Sequence, residues 1–140
     1  MATGILSMGI KLGYSKTNGG TYTNIPDLQE VPQLGGSAEK VDVTTLTDGN
    51  YRYISGIKDY GDLEFKFLYD NASANSNYRV LRGLEEEGGV VYWQITFPDG
   101  TEFEFSGEIA TAIDSASVNA ALTFTATITL NSDITVNNPA

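Results

Sequence analysis

At 140 residues the chain is long enough to bury a core without covalent staples, and one domain over residues 1–140 is expected. Cysteine and histidine are both absent, which removes disulfides, thiolate metal sites and the usual nucleophile and base pairs. A formal net charge of −10 opposes affinity for nucleic acid, and the chain shows neither a basic, apolar leader nor an apolar run of membrane-spanning length.

Leu6, Met8, Ile10 and Leu12 alternate with Ile5, Ser7, Gly9 and Lys11, predicting an opening strand that ends before a turn at Asn18-Gly19-Gly20. Thr21 to Ile25 reads as a second, short strand. Prolines and glycines then punctuate Asp27 to Ala38, which reads mostly as loop, and Val41 and Val43 suggest another strand. From Leu46 to Asp59 neither a helical nor a strand period holds. Tyr51, Tyr53, Ile54, Ile57 and Tyr60 are too apolar for a solvated linker, and Arg52 stands among the tyrosines, a pairing enriched at protein interfaces. This excursion is expected to order against another subunit, with Tyr51, Arg52, Tyr53, Ile54, Ile57 and Tyr60 as the contact residues; alternatively the rings fold back on their own sheet.

Asp62, Glu64 and Lys66 alternate with Leu63, Phe65 and Phe67, the pattern of a half-buried strand. Asn71, Ser73, Asn75 and Ser76 offer caps for a short helix over about Ser76 to Glu87, closed by Gly88 and Gly89. Its apolar stripe of Ala74, Tyr78, Leu81 and Leu84 predicts docking on a sheet through Tyr78, Leu81 and Leu84. Val91, Trp93, Ile95 and Phe97 then face one side of a strand, and Pro98-Asp99-Gly100 makes a hairpin turn. Phe103, Phe105 and Ile109 mark the next strand. Leu122, Phe124, Ala126, Ile128 and Leu130 alternate with threonines in a clean strand, and Ile134 to Val136 adds a short edge. The chain is therefore mainly β with one helix.

Only carboxylates remain for chemistry. Glu64, Glu102, Glu104 and Glu108 lie on strand faces, where a pair across a cleft would suit glycoside hydrolysis, although a solvated sheet face explains the alternation more simply. Asp48-Gly49-Asn50 lacks the spaced ligands of a calcium loop and reads as a turn. A carbohydrate-binding or adhesive β-sandwich is the main alternative reading. It would need aromatics set on a sheet face rather than collected in one loop.

The order of features resembles the major tail tube proteins of long-tailed phages. The likeness is carried by Val43-Thr44-Thr45-Leu46-Thr47-Asp48-Gly49-Asn50-Tyr51-Arg52-Tyr53-Ile54, running through Ser55-Gly56-Ile57-Lys58-Asp59-Tyr60-Gly61 into Asp62-Leu63-Glu64-Phe65, and by Ala121-Leu122-Thr123-Phe124-Thr125-Ala126-Thr127-Ile128-Thr129-Leu130. The resemblance implies a β-sandwich or partial barrel of antiparallel strands with one flanking helix, as in the similar tube protein of type VI secretion systems. It further implies a structural virion protein without catalytic residues, cofactor or metal, whose hexameric rings stack into a tail tube. DNA would pass through without specific binding, and a tape measure, tail terminator and distal tail protein would be partners, with assembly in the host cytoplasm. The helix would then lie outside the ring.

Overall fold

The computed structural model describes residues 4–139. Ten strands and one helix follow in the order β1 (Lys11–Ser15), β2 (Thr23–Ile25), β3 (Leu28–Glu30), β4 (Ser37–Asp42), β5 (Tyr53–Asp59), β6 (Asp62–Leu68), α1 (Asn77–Glu87), β7 (Val91–Thr96), β8 (Glu102–Ile113), β9 (Thr123–Leu130) and β10 (Thr135–Asn137). The main sheet is antiparallel and runs β2-β1-β7-β8-β9-β6-β3, with β10 also on β8, while β4 and β5 form a sheet of their own. β2 and β3 are at opposite ends of that path, yet only Pro26 and Asp27 separate them. Three Cα–Cα steps of about 3.8 Å bring the two ends within about 11 Å, so the sheet must roll on itself. Asp27 makes the corner with a left-handed φ of 64°.

The rolled sheet is a β-sandwich around one core. Its inward residues are Leu12, Ile25, Leu63, Phe65, Phe67, Trp93, Ile95, Phe105, Ile109, Phe124, Ala126 and Ile128, all buried. Alternation along β6, β7 and β9 accounts for most of them, since one-sided burial imposes a period of two. β8 is the spine: Gly107 pairs with Val91 on one side and Leu130 on the other, so residues before it bind β7 and residues after it bind β9. A Cβ at Gly107 would run into the Thr129 backbone, which explains the glycine in a strand interior.

The opening strand differs from expectation. Pairing with β7 begins only at Lys11↔Thr96, and Ile5, Leu6 and Met8 are exposed. The partner chain leaves the sheet at Phe97 into the Pro98 to Gly100 turn, so Ile5 to Ile10 has alternation but no strand beside it. β3, read from sequence as loop, has three residues, too few to show a period.

Helix α1 packs Leu81 and Leu84 into the core, with Tyr78 half-buried and its ring 5.3 Å from Phe124. Ala74 falls outside the helix and is exposed; fully buried Asn77 takes its place on the docking face. Ser76 occupies the N-cap position without capping, because its hydroxyl accepts the Ser73 N–H at 2.9 Å. At the other end Gly88 turns left-handed at φ 72° and its N–H reaches the Leu84 and Glu85 carbonyls. The three glutamates there all find cations or donors: Glu86 bonds Arg82, Glu87 bonds Lys16, and Glu85 accepts from Arg82 and from Thr111. Leu81→Ala should cost about 2–5 kcal/mol, the range for emptying a buried leucine site. Chemical denaturation reads this directly, and an unchanged midpoint for Leu81→Asp would contradict the docking face.

Beyond Gly107, β8 has no β7 residue beside it, and Glu85 closes that edge: the Thr111 N–H and hydroxyl donate to Glu85 Oε1 at 3.0 and 2.6 Å. The Thr111 hydroxyl, then its N–H and Arg82, hold the Glu85 carboxyl below the usual carboxylate range. Asp114 is lowered likewise, first by the Thr123 hydroxyl and then by that of Thr125. A depressed carboxylate stabilises the fold above its unfolded value of about 4, and that contribution is lost as pH falls through the folded value. The melting temperature should therefore be level from neutrality down to about pH 5 and decline below about pH 4. Glu85→Gln and Asp114→Asn should each flatten the acid decline in a thermal scan series. A decline as steep as the parent's in both variants would rule these two groups out.

Candidate functional site

The arm formed by β4 and β5 exposes a group of large apolar side chains. The strands pair antiparallel through Lys40↔Ser55, Val41↔Ile54 and Asp42↔Tyr53, with a bulge between Ala38 and Lys40. The Leu46 to Asp59 stretch is thus not an aperiodic excursion: its second half is strand β5. Val41 and Ile54, directly paired, share one face of the arm. Tyr51, Tyr53 and Lys40 share the other, with the two rings 6.5 Å apart and the Lys40 ammonium 5.4 Å from the Tyr53 ring. Neither face packs on the body. Tyr51 is 78% exposed, Tyr53 51%, Ile54 56%, Ile57 89%, and Leu46 at the tip is fully exposed.

Local hydrogen bonds hold the tip in shape. The Thr45 N–H and hydroxyl donate to Asp48 Oδ2 at 2.8 and 3.0 Å, and Arg52 Nε donates to the same oxygen at 2.9 Å. The Arg52 N–H donates to Thr44 Oγ1, and the Val43 N–H to the Arg52 carbonyl. Arg52 therefore braces its own turn, and the Thr45 N–H, the largest influence, keeps the Asp48 carboxyl below its ordinary range. Tyr60 is at the root rather than on the exposed surface. Its hydroxyl donates to Asp133 Oδ1 at 3.1 Å, and its ring lies against Gly36, where a Cβ would come within 2.8 Å. Of the six residues singled out from sequence, the fold gathers Tyr51, Tyr53, Ile54 and Ile57 on an exposed arm and assigns Arg52 and Tyr60 to bracing it. Val41 and Leu46 join the apolar surface; sequence inspection read Val41 only as part of a strand.

Glu64 and Glu104 are not brought together. Glu64 is opposite Thr127, which is opposite Ala110, six residues along β8 from Glu104. At about 3.3 Å per residue and 4.8 Å per strand that separation is about 20 Å, beyond the roughly 5–9.5 Å of glycosidase pairs. Glu104 is instead bonded by Gln94 and Asn137. Among the described residues no group of histidine, cysteine or acidic side chains is arranged to hold a metal.

The model of the phage tail tube protein family matches residues 10–139. The chain belongs to that family. It is a structural tube protein and not an enzyme. The tail tube protein also shares its fold with solved assemblies. A chain of the tail of an empty gene transfer agent particle, refined with C6 symmetry, is 21% identical, with a TM-score of 0.69 over 92% of this chain and 94% of that one. A chain of the six-fold symmetrised anti-feeding prophage baseplate is 15% identical, with a TM-score of 0.69 over 98% and 97%. A chain of the sheath/tube terminator of an extracellular contractile injection system is 11% identical, with a TM-score of 0.71 over 98% and 99%. No curated protein matches the sequence.

Proposed function

We propose that this tail tube protein assembles into hexameric rings that stack into the tube of a virion tail, through which DNA is delivered. The observation that carries the reading is the β4–β5 arm, a two-stranded sheet with apolar side chains on both faces and no body beneath it. Such a pair is at best marginally stable alone in water, so it needs a partner surface. The similar chains in six-fold symmetric particles support a ring of six, and the family supports the tube. A tape measure, tail terminator and distal tail protein would meet the tube in the same virion, after assembly in the host cytoplasm.

Negative-stain microscopy of the purified protein at high concentration tests this. Rings or tubes are expected; separate protomers at every concentration and salt would overturn it. The outward residues of β6, β9 and β8 are mostly acidic, threonine and alanine, with Asp62, Glu64 and Glu108 across from Thr127 and Thr129 and Lys66 as a basic exception. With a net charge of −10 the channel should be acidic or neutral and let DNA pass with little friction. Duplex DNA should not bind assembled tubes at low salt. Tight binding with a steep salt dependence would contradict that.

A further inference from the structure

Asn18 is the one asparagine of the chain that precedes a glycine, and Asp48 and Asp99 are the aspartates that do. In such pairs the next backbone nitrogen can attack the side-chain carbonyl carbon, because glycine has no Cβ to hinder the fold-back. What holds each side chain decides which pair can react.

The two aspartates are held. Asp48 Oδ2 accepts the Thr45 N–H, the Thr45 hydroxyl and Arg52 Nε, and Asp99 Oδ1 accepts the Thr101 N–H at 3.0 Å. Bonds from those backbone N–H groups, the largest influence at each, keep both carboxyls below the usual range, so they are ionised at neutral pH. A carboxylate is a poor electrophile, since attack adds an anion to an anion and must expel oxide. The asparagines that precede alanine or serine are engaged as well. Asn71 Oδ1 accepts Arg79 Nε at 2.8 Å and Asn131 Oδ1 accepts the Ser106 hydroxyl at 2.6 Å. After Asn75 and Asn119, the Ser76 and Ala120 N–H groups donate to the Ser73 and Ser117 carbonyls.

Asn18 and Gly19 are both exposed, in the turn between β1 and β2. The turn's hydrogen bond runs from the Gly20 N–H to the Thr17 carbonyl at 3.1 Å, with Gly19 at φ 78°, and leaves the Gly19 nitrogen outside it. The neighbouring side-chain bonds join Ser15 and Thr17, and among the described residues none holds the Asn18 carboxamide.

We propose that Asn18 is a site of spontaneous deamidation in the folded protein. Base takes the Gly19 amide proton, the nitrogen bonds to Asn18 Cγ, and the Cγ–Nδ2 bond breaks. The leaving nitrogen picks up a proton from water and departs as ammonia, and a second water opens the succinimide at either carbonyl to give aspartate or isoaspartate. The new carboxylate stands on a groove of about 300 Å³ that Glu104 and Asp133 also line, adding like charge to a chain already at −10. The isoaspartate form also lengthens the turn backbone by one methylene.

The full-length protein, kept folded at mildly alkaline pH and then digested with trypsin, tests this. The peptide from Thr17 to Lys40 should gain the mass of an amide turned to an acid, at Asn18 and not at Asn24. Isoaspartyl methyltransferase should label the same peptide, and isoelectric focusing of the intact chain should show one added negative charge. Asn18→Gln, which would need a larger ring, should lose all three signals at the parent's melting temperature. Conversion in the isolated peptide but not in the folded protein would show that the turn blocks the attack, and would overturn the proposal. Labelling that persists in Asn18→Gln would overturn it too, because the reaction would then belong to Asp48 or Asp99.

Discussion

Tyr51→Ala combined with Tyr53→Ala should leave a folded, soluble protein that no longer forms tubes. Both rings are at least half exposed and touch little besides each other and Lys40, so their removal should change protomer stability by no more than about 0.5 kcal/mol. At an interface the same truncations cost about 2 kcal/mol or more each, and that loss repeats at every subunit of a ring. Sedimentation would show the variant in the supernatant at concentrations where the parent pellets. Arg52 is better left in place, because its bond to Asp48 shapes the tip, and Arg52→Ala would mix a loss of contact with a loss of form. Amide exchange gives a second view: arm amides should exchange quickly in the protomer, since an isolated two-stranded sheet opens readily, and slowly in tubes. A double variant that still pellets as tubes would remove these tyrosines from the interface.

Asn77→Ala is expected to unfold the protomer or bring it close to unfolding. The Asn77 side chain is fully buried where three segments meet: Nδ2 donates to the Leu68 carbonyl at 2.7 Å and to the Pro26 carbonyl at 3.0 Å, and Oδ1 accepts the Asp70 N–H at 3.2 Å. It joins the start of the helix to the end of β6 and to the corner where the rolled sheet closes. Alanine would strand two acceptors and one donor, each costing about 1–3 kcal/mol, against a total stability of about 5–15 kcal/mol. Asn77→Asp should be at least as damaging, because it loses both donors and faces a carboxylate with two carbonyl oxygens. Urea unfolding measures both, and a loss below about 1 kcal/mol in each would show that water can replace the amide.

The two sites differ in how much of them the sequence disclosed. Residue types drew attention to Tyr51, Tyr53, Ile54 and Ile57, since so many apolar side chains in an aperiodic stretch are costly to leave in water. Their conformation was hidden. Alternation is written into a strand only when one face is buried and the other wet, and on the arm both faces are exposed, so β5 carries no such record. Leu6, Met8 and Ile10 show the converse: they alternate, but the neighbouring chain turns away at Phe97, and alternation without a partner makes no strand. Asn77 left no trace, because an asparagine at the start of a helix looks like an ordinary capping residue. Its three partners come from Pro26, Leu68 and Asp70, up to 51 residues away.

By itself the sequence determined a mainly β chain with one helix, the inward residues of β6, β7 and β9, the turns, and the absence of histidine and cysteine chemistry. These follow from local periods and residue chemistry, which need no knowledge of distant segments. Only the tertiary structure decided that the sheet rolls closed at Pro26 and Asp27, that β4 and β5 stand apart as an arm, and that Arg52 and Tyr60 serve its brace and root. Each of those depends on which backbone edges and buried polar groups meet across the fold, and hydrogen-bond partners far apart in the chain exist only once the strands have paired.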